Sequence, residues 1–187
     1  MAFTITKVLI LINVVFYALC TIMHGGNLYS LSREAIVLYA FHPIRVLFFG
    51  EYYRLITSFF IHANIFHLFF NMYALYILGT IVEGYCGAMN MLILYMIAGL
   101  FGNIASILIL AYSLGSSAAI FSLLSLLVIY ERRAYGKLGS MAALLLLALI
   151  VSNMLAPGQV NNLAHIAGVA VGVVYGYLIK FRHLSRF

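Results

Sequence analysis

The sequence carries very little charge. Only 7% of its 187 residues are Asp, Glu, Lys or Arg, and 66% are hydrophobic. A soluble domain has roughly 25% charged residues, so this chain cannot cover a surface that faces water. The composition excludes a soluble globular protein and predicts one whose solvent is the lipid bilayer. The net charge of +6 does not indicate nucleic-acid binding, because the basic residues lie between apolar segments and form no stripe.

Aspartate is absent, and cysteine occurs only as Cys20 and Cys86. Without a pair of Asp residues, an aspartyl intramembrane protease is excluded. Two cysteines so far apart do not form a disulfide framework, and we expect each to pack as a small apolar residue. A zinc-protease motif is also missing, because His62 and His67 are five residues apart and no Glu accompanies them. The sequence predicts neither a metal nor a cofactor.

Hydropathy and helix-breaking residues divide the chain into six apolar segments, near the length that crosses a bilayer as a helix. They cover approximately residues 6–23, 59–82, 89–111, 116–130, 140–155 and 163–180. We therefore predict one all-α membrane domain over residues 1–187, a bundle of six transmembrane helices. The long connection 25–58 between the first two helices mixes charged with aromatic residues. We expect it to form short helices at the headgroup level.

Lys and Arg residues are distributed unequally between the two sides that six spans would create. The side of both termini holds Lys7, Arg132, Arg133, Lys137, Lys180, Arg182 and Arg186. The other side holds Arg33, Arg45 and Arg54. Cytoplasmic loops carry an excess of basic residues, so we expect both termini to be cytoplasmic. The connections 25–58, 112–115 and 156–162 then face outward.

Polar side chains inside apolar spans cost free energy in the bilayer, so they usually mark a functional site or a contact between helices. Three groups lie toward the outer ends of their predicted helices. They are His62, His67 and Asn71 in the second span, Ser116 and Ser117 in the fourth, and His165 in the sixth. Each group alone also suits a structural role, since serine and histidine often form hydrogen bonds between membrane helices. Their shared position at one end predicts a site.

Ser117 follows Gly115 closely, where an outer connection turns into a helix. A glycine there permits a tight turn and the close approach of a substrate backbone. The first N–H groups of a helix have no intrahelical partner, and the helix dipole adds to their affinity for an anion. Ser117 therefore suits a nucleophile whose own amide helps to bind an oxyanion.

Small residues recur at every fourth position of the last span, a pattern typical of close helix contact in lipid. They are Ala164, Gly168, Gly172 and Gly176. If this seam packs on the fourth helix, His165 reaches hydrogen-bond distance of Ser117 and acts as its general base. His67 and Asn71 would then bind the oxyanion with the Ser117 N–H.

A third, acidic member of the catalytic group is not expected. The four glutamates, Glu34, Glu51, Glu83 and Glu131, are expected outside the helix interiors. We therefore predict a Ser–His dyad and not a triad.

Three ordered motifs resemble those of the rhomboid family. The segment from His62 through His67 to Asn71 resembles its second-helix motif, and Gly-Ser-Ser-Ala at 115–118 resembles its GxSx nucleophile motif. Residues 164–172 resemble its sixth-helix motif, and residues 52–57 are similar to the segment that leads into its second helix. The resemblance covers nearly the whole chain.

This resemblance implies a rhomboid-like bundle with a water-filled cavity that opens outward. It also implies an intramembrane serine endopeptidase that cleaves single-pass membrane proteins near their outer membrane boundary, without metal or nucleotide. Ser117 would be the nucleophile and His165 the base, with His67 and Asn71 as oxyanion-hole side chains. His62 would support local structure near the cavity. We expect an integral multi-pass protein of a bacterial inner membrane, whose partners are transmembrane substrates and the bilayer.

Two positions depart from the family pattern. Ala118 replaces the glycine that commonly follows the nucleophile, and its methyl group could narrow the approach of a substrate. Tyr52 and Tyr53 stand where a tryptophan usually precedes Arg54. The alternative hypothesis is an inactive rhomboid-like protein that binds transmembrane helices, and the joint presence of Ser117 and His165 opposes it.

Overall fold

A computed structural model describes residues 4–155 and 160–182 of the chain. Its helices are α1 Ile5–Met23, α2 Arg33–Tyr39, α3 Pro43–Phe49, α4 Arg54–Thr57, α5 Ile65–Ala74, α6 Thr80–Cys86, α7 Ala88–Ile107, α8 Ser117–Tyr135, α9 Ser140–Leu155 and α10 Asn162–Leu178. A π-helical turn, Leu75–Gly79, joins α5 to α6. The predicted all-helical class is confirmed for the described residues. Most of the connection 156–162 lies outside them, as do His183 and Arg186.

Among the described residues, three helices are long and apolar enough to cross a membrane. These are Ile5–Met23, the continuous helix Ile65–Cys86, and Ala88–Ile107. Two shorter apolar helices are Ser140–Met154 and Asn162–Leu178. Apolar helices of this kind are typical of an integral membrane protein.

The central helix of the fold is α8. Every residue from Ala118 to Tyr130 is buried, which requires neighbours on all sides of the helix. Helix α10 packs on it through the predicted small-residue seam. A Cβ atom added to Gly168 or Gly172 would overlap a backbone oxygen of Ala118 or Ser122. The expected contact between the seam and the fourth long helix is therefore confirmed, and backbones meet there because side chains are missing.

The second long helix begins later than the sequence predicts, at Ile65 and not near residue 59. Asn64 is its N-cap, since its side chain accepts a hydrogen bond of 2.8 Å from the His67 N–H. An isolated bridge between Asn64 and Ser30 keeps the preceding backbone extended. Hydropathy extends the predicted span back to Phe59, Phe60 and Ile61, because it does not distinguish a buried connection from a helix.

Two other helix ends also differ from their predicted positions. Helix α7 ends at Ile107 and not at 111, and Leu110 has a left-handed backbone with φ of 50°. Helix α8 continues beyond residue 130 to Tyr135, where Gly136 ends it with φ of 71°. Its last turn carries Arg132 and Arg133, whose positive charge suits a helix C-terminus.

Two glutamates lie inside the long helices, contrary to expectation, and Glu34 lies in the first turn of the short helix α2. Glu83 belongs to α6 and accepts hydrogen bonds from the Thr6 N–H at 3.0 Å and the Thr6 hydroxyl at 2.8 Å. Glu131 belongs to α8 and accepts from the Met141 N–H at 3.0 Å. Each carboxylate therefore satisfies N–H groups at the start of another helix, α1 or α9.

These contacts place the start of α1 and the ends of α6, α8 and α10 at one end of the bundle. Arg133 on α8 donates hydrogen bonds to the carbonyls of Gly176 and Ile179 near the end of α10, at 2.9 and 2.8 Å. The starts of α5, α8 and α10, which carry the predicted site, lie at the other end.

The connection between the first two long helices contains α2, α3 and α4, so short helices are present where the sequence predicts them. Arg54 organises this segment and is only 2% exposed. Its Nη1 donates to the carbonyls of Val37 and Ala40 at 2.6 and 3.0 Å, and its Nε pairs with Glu51. A single guanidinium therefore joins the end of α2 to the start of α4.

Candidate active site

The structure brings Ser117 and His165 together. Ser117 is the first residue of α8, and His165 lies in the first turn of α10. Their Oγ and Nε2 atoms are 2.8 Å apart, a hydrogen-bond distance. The small residues of the α10 seam allow α10 to pack close enough to α8 for this hydrogen bond to form. The Phe121 ring, with its centroid 4.4 Å from that of His165, packs against the imidazole.

No acidic group completes this pair within the described part of the chain. The Nδ1 atom of His165 is buried and has no hydrogen-bond partner there. When Nε2 accepts the serine proton, Nδ1 must carry the other ring hydrogen. The geometry is thus that of a hydroxyl and an imidazole alone, a combination that supports nucleophilic attack with general-base assistance.

Gly115 shapes the backbone that leads to Ser117. It adopts φ of +90°, and its N–H donates to the Ser58 carbonyl at 2.8 Å. A Cβ atom at this position would lie 2.8 Å from both Cε1 and Nε2 of His67. Only glycine accommodates both this φ and this neighbour. The His67 ring therefore rests against the backbone two residues before Ser117.

Asn71 lies one turn after His67 on the same helix face. Its Nδ2 donates to the His67 carbonyl at 2.8 Å, and its Oδ1 lies 3.5 Å from the Ser116 hydroxyl. A carboxamide has two N–H donors, so these bonds leave one donor of Asn71 unused. The side chain is buried.

His62 packs behind His67 and is fully buried. The two rings meet edge to face with centroids 4.9 Å apart, and His62 Nδ1 lies 3.3 Å from the Phe60 carbonyl. The structure therefore groups His62 with Gly115 and His67, and it places all three at the end of the bundle that holds Ser117.

Asn161 has a position that we did not predict from sequence. Its Oδ1 accepts from the Ala164 N–H at 3.1 Å and so caps α10. Its Nδ2 donates to the Ser106 hydroxyl at 2.7 Å and to the Tyr112 carbonyl at 3.2 Å. One side chain thus joins the helix of His165 to the connection that precedes Ser117. An Asn before an apolar run is an N-cap signal. No pattern in the sequence, however, predicts the contacts of Asn161 with Ser106 and Tyr112.

The connection before the nucleophile is also tied to the segment of short helices. Phe41 and Ser113 exchange backbone hydrogen bonds of 2.8 and 3.2 Å. The His42 and Tyr112 side chains meet through Nε2 and the hydroxyl at 3.0 Å. The segment between α1 and α5 therefore supports the turn that begins α8.

Ala118 packs against α7. Its Cβ lies 2.8 Å from the position that a Cβ on Gly102 would occupy, and the residue is buried. The methyl group therefore faces Gly102 on α7 and fills the gap that this glycine leaves. Its effect on the approach of a substrate stays a prediction.

Comparison with known proteins identifies the family. A family model described as Rhomboid domain matches residues 49–182. Rhomboid protease GluP of Bacillus subtilis is 30% identical over 173 residues, which make up 90% of this chain and 33% of GluP. Putative rhomboid protease YdcA of the same organism is 30% identical over 144 residues, with 74% of this chain and 72% of YdcA covered.

Plant proteins match as well. RHOMBOID-like protein 2 of Arabidopsis thaliana is 34% identical over 143 residues, which cover 70% of this chain and 43% of that protein. The chain thus spans less than half the length of GluP and of this plant relative. Similarity extends to proteins named as proteases and to proteins named only as rhomboid-like. By the domain match and by its similarity to YdcA, the chain belongs to the rhomboid family.

Proposed function

We propose that this chain is an intramembrane serine endopeptidase that works through a Ser–His dyad. The observation that carries the proposal is the distance of 2.8 Å between Ser117 Oγ and His165 Nε2. Ser117 attacks the carbonyl carbon of a peptide bond while His165 takes its proton. His165 then gives the proton to the leaving amine. In the second half of the reaction His165 takes a proton from water, which attacks the acyl-enzyme, and returns that proton to the Ser117 oxygen.

The oxyanion formed during the attack is bound by three groups in this proposal. They are the Ser117 N–H, the His67 side chain and the unused N–H of Asn71. Support comes from the position of His67 against Gly115 and from the hydrogen-bond pattern of Asn71. Loss of one oxyanion-hole donor typically lowers kcat about 10²–10³-fold.

In the proposed function the whole bundle lies in a membrane, and its six spans are α1, Ile65–Cys86, α7, α8, α9 and α10. Basic residues at the end opposite the site support a cytoplasmic location of both termini. The segment with α2–α4 then lies at the outer interface, beside Ser117. Substrates are single-pass membrane proteins cleaved near that outer boundary, the membrane is a bacterial inner membrane, and no metal, cofactor or nucleic acid takes part.

Labelling and cleavage together test this proposal. Detergent-purified protein is treated with a fluorophosphonate probe, and cleavage of a single-pass reporter is followed in liposomes. We expect the wild type to be labelled and active. Ser117→Ala abolishes both signals, and His165→Ala lowers the cleavage rate at least about 10³-fold. Ser122→Ala, a change in the same helix, serves as the matched control and behaves as wild type.

The main competing function is that of an inactive relative that binds transmembrane helices. It predicts an unlabelled Ser117 and no cleavage in a protein whose melting transition shows an intact fold. Retained capture of the reporter under those conditions would establish the binding function and refute the enzymatic one.

A further inference from the structure

Ser116 occupies a capping position without capping the helix. It is the N-cap residue of α8, where a serine oxygen usually accepts a hydrogen bond from the second or third helical N–H. In this structure its side chain makes no such bond. The hydroxyl instead faces Asn71 on another helix, with its Oγ 3.5 Å from Oδ1, and both residues are buried. The Ser116 hydroxyl, which could cap α8, therefore contacts Asn71 instead.

This contact fixes one orientation of the Asn71 carboxamide. The His67 carbonyl accepts from Nδ2, so Oδ1 must be the atom that faces Ser116. A hydroxyl donor next to Oδ1 stabilises that arrangement, because the reverse orientation would place Oδ1 against the His67 carbonyl. The remaining N–H of Asn71 then has a single direction.

A second buried hydroxyl lies near Ser116. Tyr95 on α7 is fully buried, and its hydroxyl lies beside the side chains of Ser116 and Asn13. It forms no hydrogen bond of good geometry within the described residues. Among the described residues, the hydrogen-bond acceptor of the Ser116 hydroxyl is Asn71 Oδ1.

We propose that Ser116 is a positioning residue, which holds the Asn71 carboxamide so that its free N–H points at the oxyanion; this inference rests on the proposed function. The distance of 3.5 Å is long for a hydrogen bond in the resting protein. An oxyanion that accepts from Nδ2 polarises the carboxamide and makes Oδ1 a better acceptor, so the Ser116 contact strengthens as the charge develops. Hydrogen bonds of catalytic groups often tighten in this way.

A contact that strengthens only in the transition state affects kcat and leaves KM unchanged. The test measures both constants on the single-pass reporter for the wild type, Ser116→Ala, Asn71→Ala and the double variant. We expect Ser116→Ala to lower kcat roughly tenfold, a fraction of the loss of a whole donor. In the Asn71→Ala background the same change has no further effect, since Ser116 acts only through Asn71. Ser122→Ala, which removes another buried hydroxyl of α8, keeps the wild-type kcat.

Two results would overturn the inference while the enzymatic function stands. Either Ser116→Ala matches the wild type, or it lowers kcat by the same factor with and without Asn71. Should Ser116→Ala not fold, Ser116→Gly removes the same hydroxyl with a residue that is accepted at an N-cap. A wild type that neither cleaves nor reacts with the probe refutes the proposed function, and this inference with it.

Discussion

The methyl group of Ala118 fills the space that Gly102 leaves on the facing helix. Ala118 follows the proposed nucleophile on α8, and Gly102 lies on α7. A Cβ on Gly102 would stand 2.8 Å from the Ala118 Cβ and 3.5 Å from the Ala164 Cβ. The two positions are therefore a matched pair, one small and one slightly larger, and together they set the spacing of α7 and α8 beside the site.

This pairing predicts that Gly102→Ala destabilises the protein, because two Cβ atoms at 2.8 Å must move apart. Overpacking of this kind costs about 1–3 kcal/mol. Ala118→Gly in the same chain should remove the clash and restore most of the loss. Reversible unfolding in mixed detergent micelles measures the free energy of unfolding of each variant.

Gly84→Ala is the matched control for that experiment. Gly84 lies in helix α6, and a Cβ there meets nothing within 4 Å. Since alanine is the better helix former, this change should be neutral or stabilising by up to about 1 kcal/mol. Equal destabilisation by both alanine substitutions, or a failure of Ala118→Gly to compensate, would contradict the pairing.

His62→Ala should act mainly on stability. The ring is fully buried and packs edge to face on His67. Its removal leaves a cavity that costs about 2–4 kcal/mol. Cleavage measured well below the melting temperature should persist at a reduced rate, whereas His165→Ala should remove cleavage even in molecules that remain folded. Complete loss of cleavage in a His62→Ala protein of normal stability would show that His62 takes a direct part in the reaction.

Glu83→Gln should weaken the end of the bundle opposite the site. The carboxylate accepts hydrogen bonds from the backbone and hydroxyl of Thr6 at the start of α1. The neutral amide of Gln does not interact with the positive end of the α1 dipole, and its NH₂ group faces some of these donors. We therefore expect the free energy of unfolding to fall by about 1–2 kcal/mol. Glu34→Gln is the control, because the Glu34 side chain is 70% exposed and its ion pair contributes little. Equal losses in the two variants would argue against a capping role for Glu83.

The connection between α1 and α5 should show a pH dependence that arises from Glu51. Hydrogen bonds from Arg54, and then from Arg45, lower the pKa of Glu51 below its ordinary value of 4.5. A carboxylate with a lowered pKa in the folded protein stabilises the fold fully above its unfolded pKa, and this contribution is lost as the pH falls through the folded value. The melting temperatures of wild type and Glu51→Gln should therefore differ by a constant amount from pH 7 to about 5.

Below about pH 4.5 that difference should shrink, because the wild-type carboxylate becomes protonated. A difference that grew on acidification would mean that another group dominates the titration.

Much of the fold follows from local patterns. Each of the six predicted apolar segments coincides with a helix of the described residues, and three of these helices are long and apolar enough to cross a membrane. The small residues of α10 indicate which face packs on α8. From that seam the proximity of Ser117 and His165 could be predicted, since His165 is adjacent to Ala164. The start of α5 was missed because hydropathy extends to Phe59, whereas the decisive signal is the Asn64 cap.

Other features could not be predicted because they depend on how distant helices are rotated and offset. Glu83 caps α1 across 77 residues of sequence, and Asn161 joins three segments that have no shared pattern. The direction of the Ala118 methyl group follows from the rotation of α8 about its own axis, which one sequence does not fix. Ser116 has the residue type of an N-cap but faces Asn71, so residue preference alone gives the wrong partner.

The glycine face of α10 has a mechanical consequence. Where Gly168 and Gly172 rest on carbonyl oxygens of α8, no flexible side chain lies between the two backbones to absorb a displacement. Helices α8 and α10 should therefore move as one rigid unit, with the hydroxyl and the imidazole carried along at constant separation. Any motion that admits a polypeptide to Ser117 must then occur in the surrounding helices and connections.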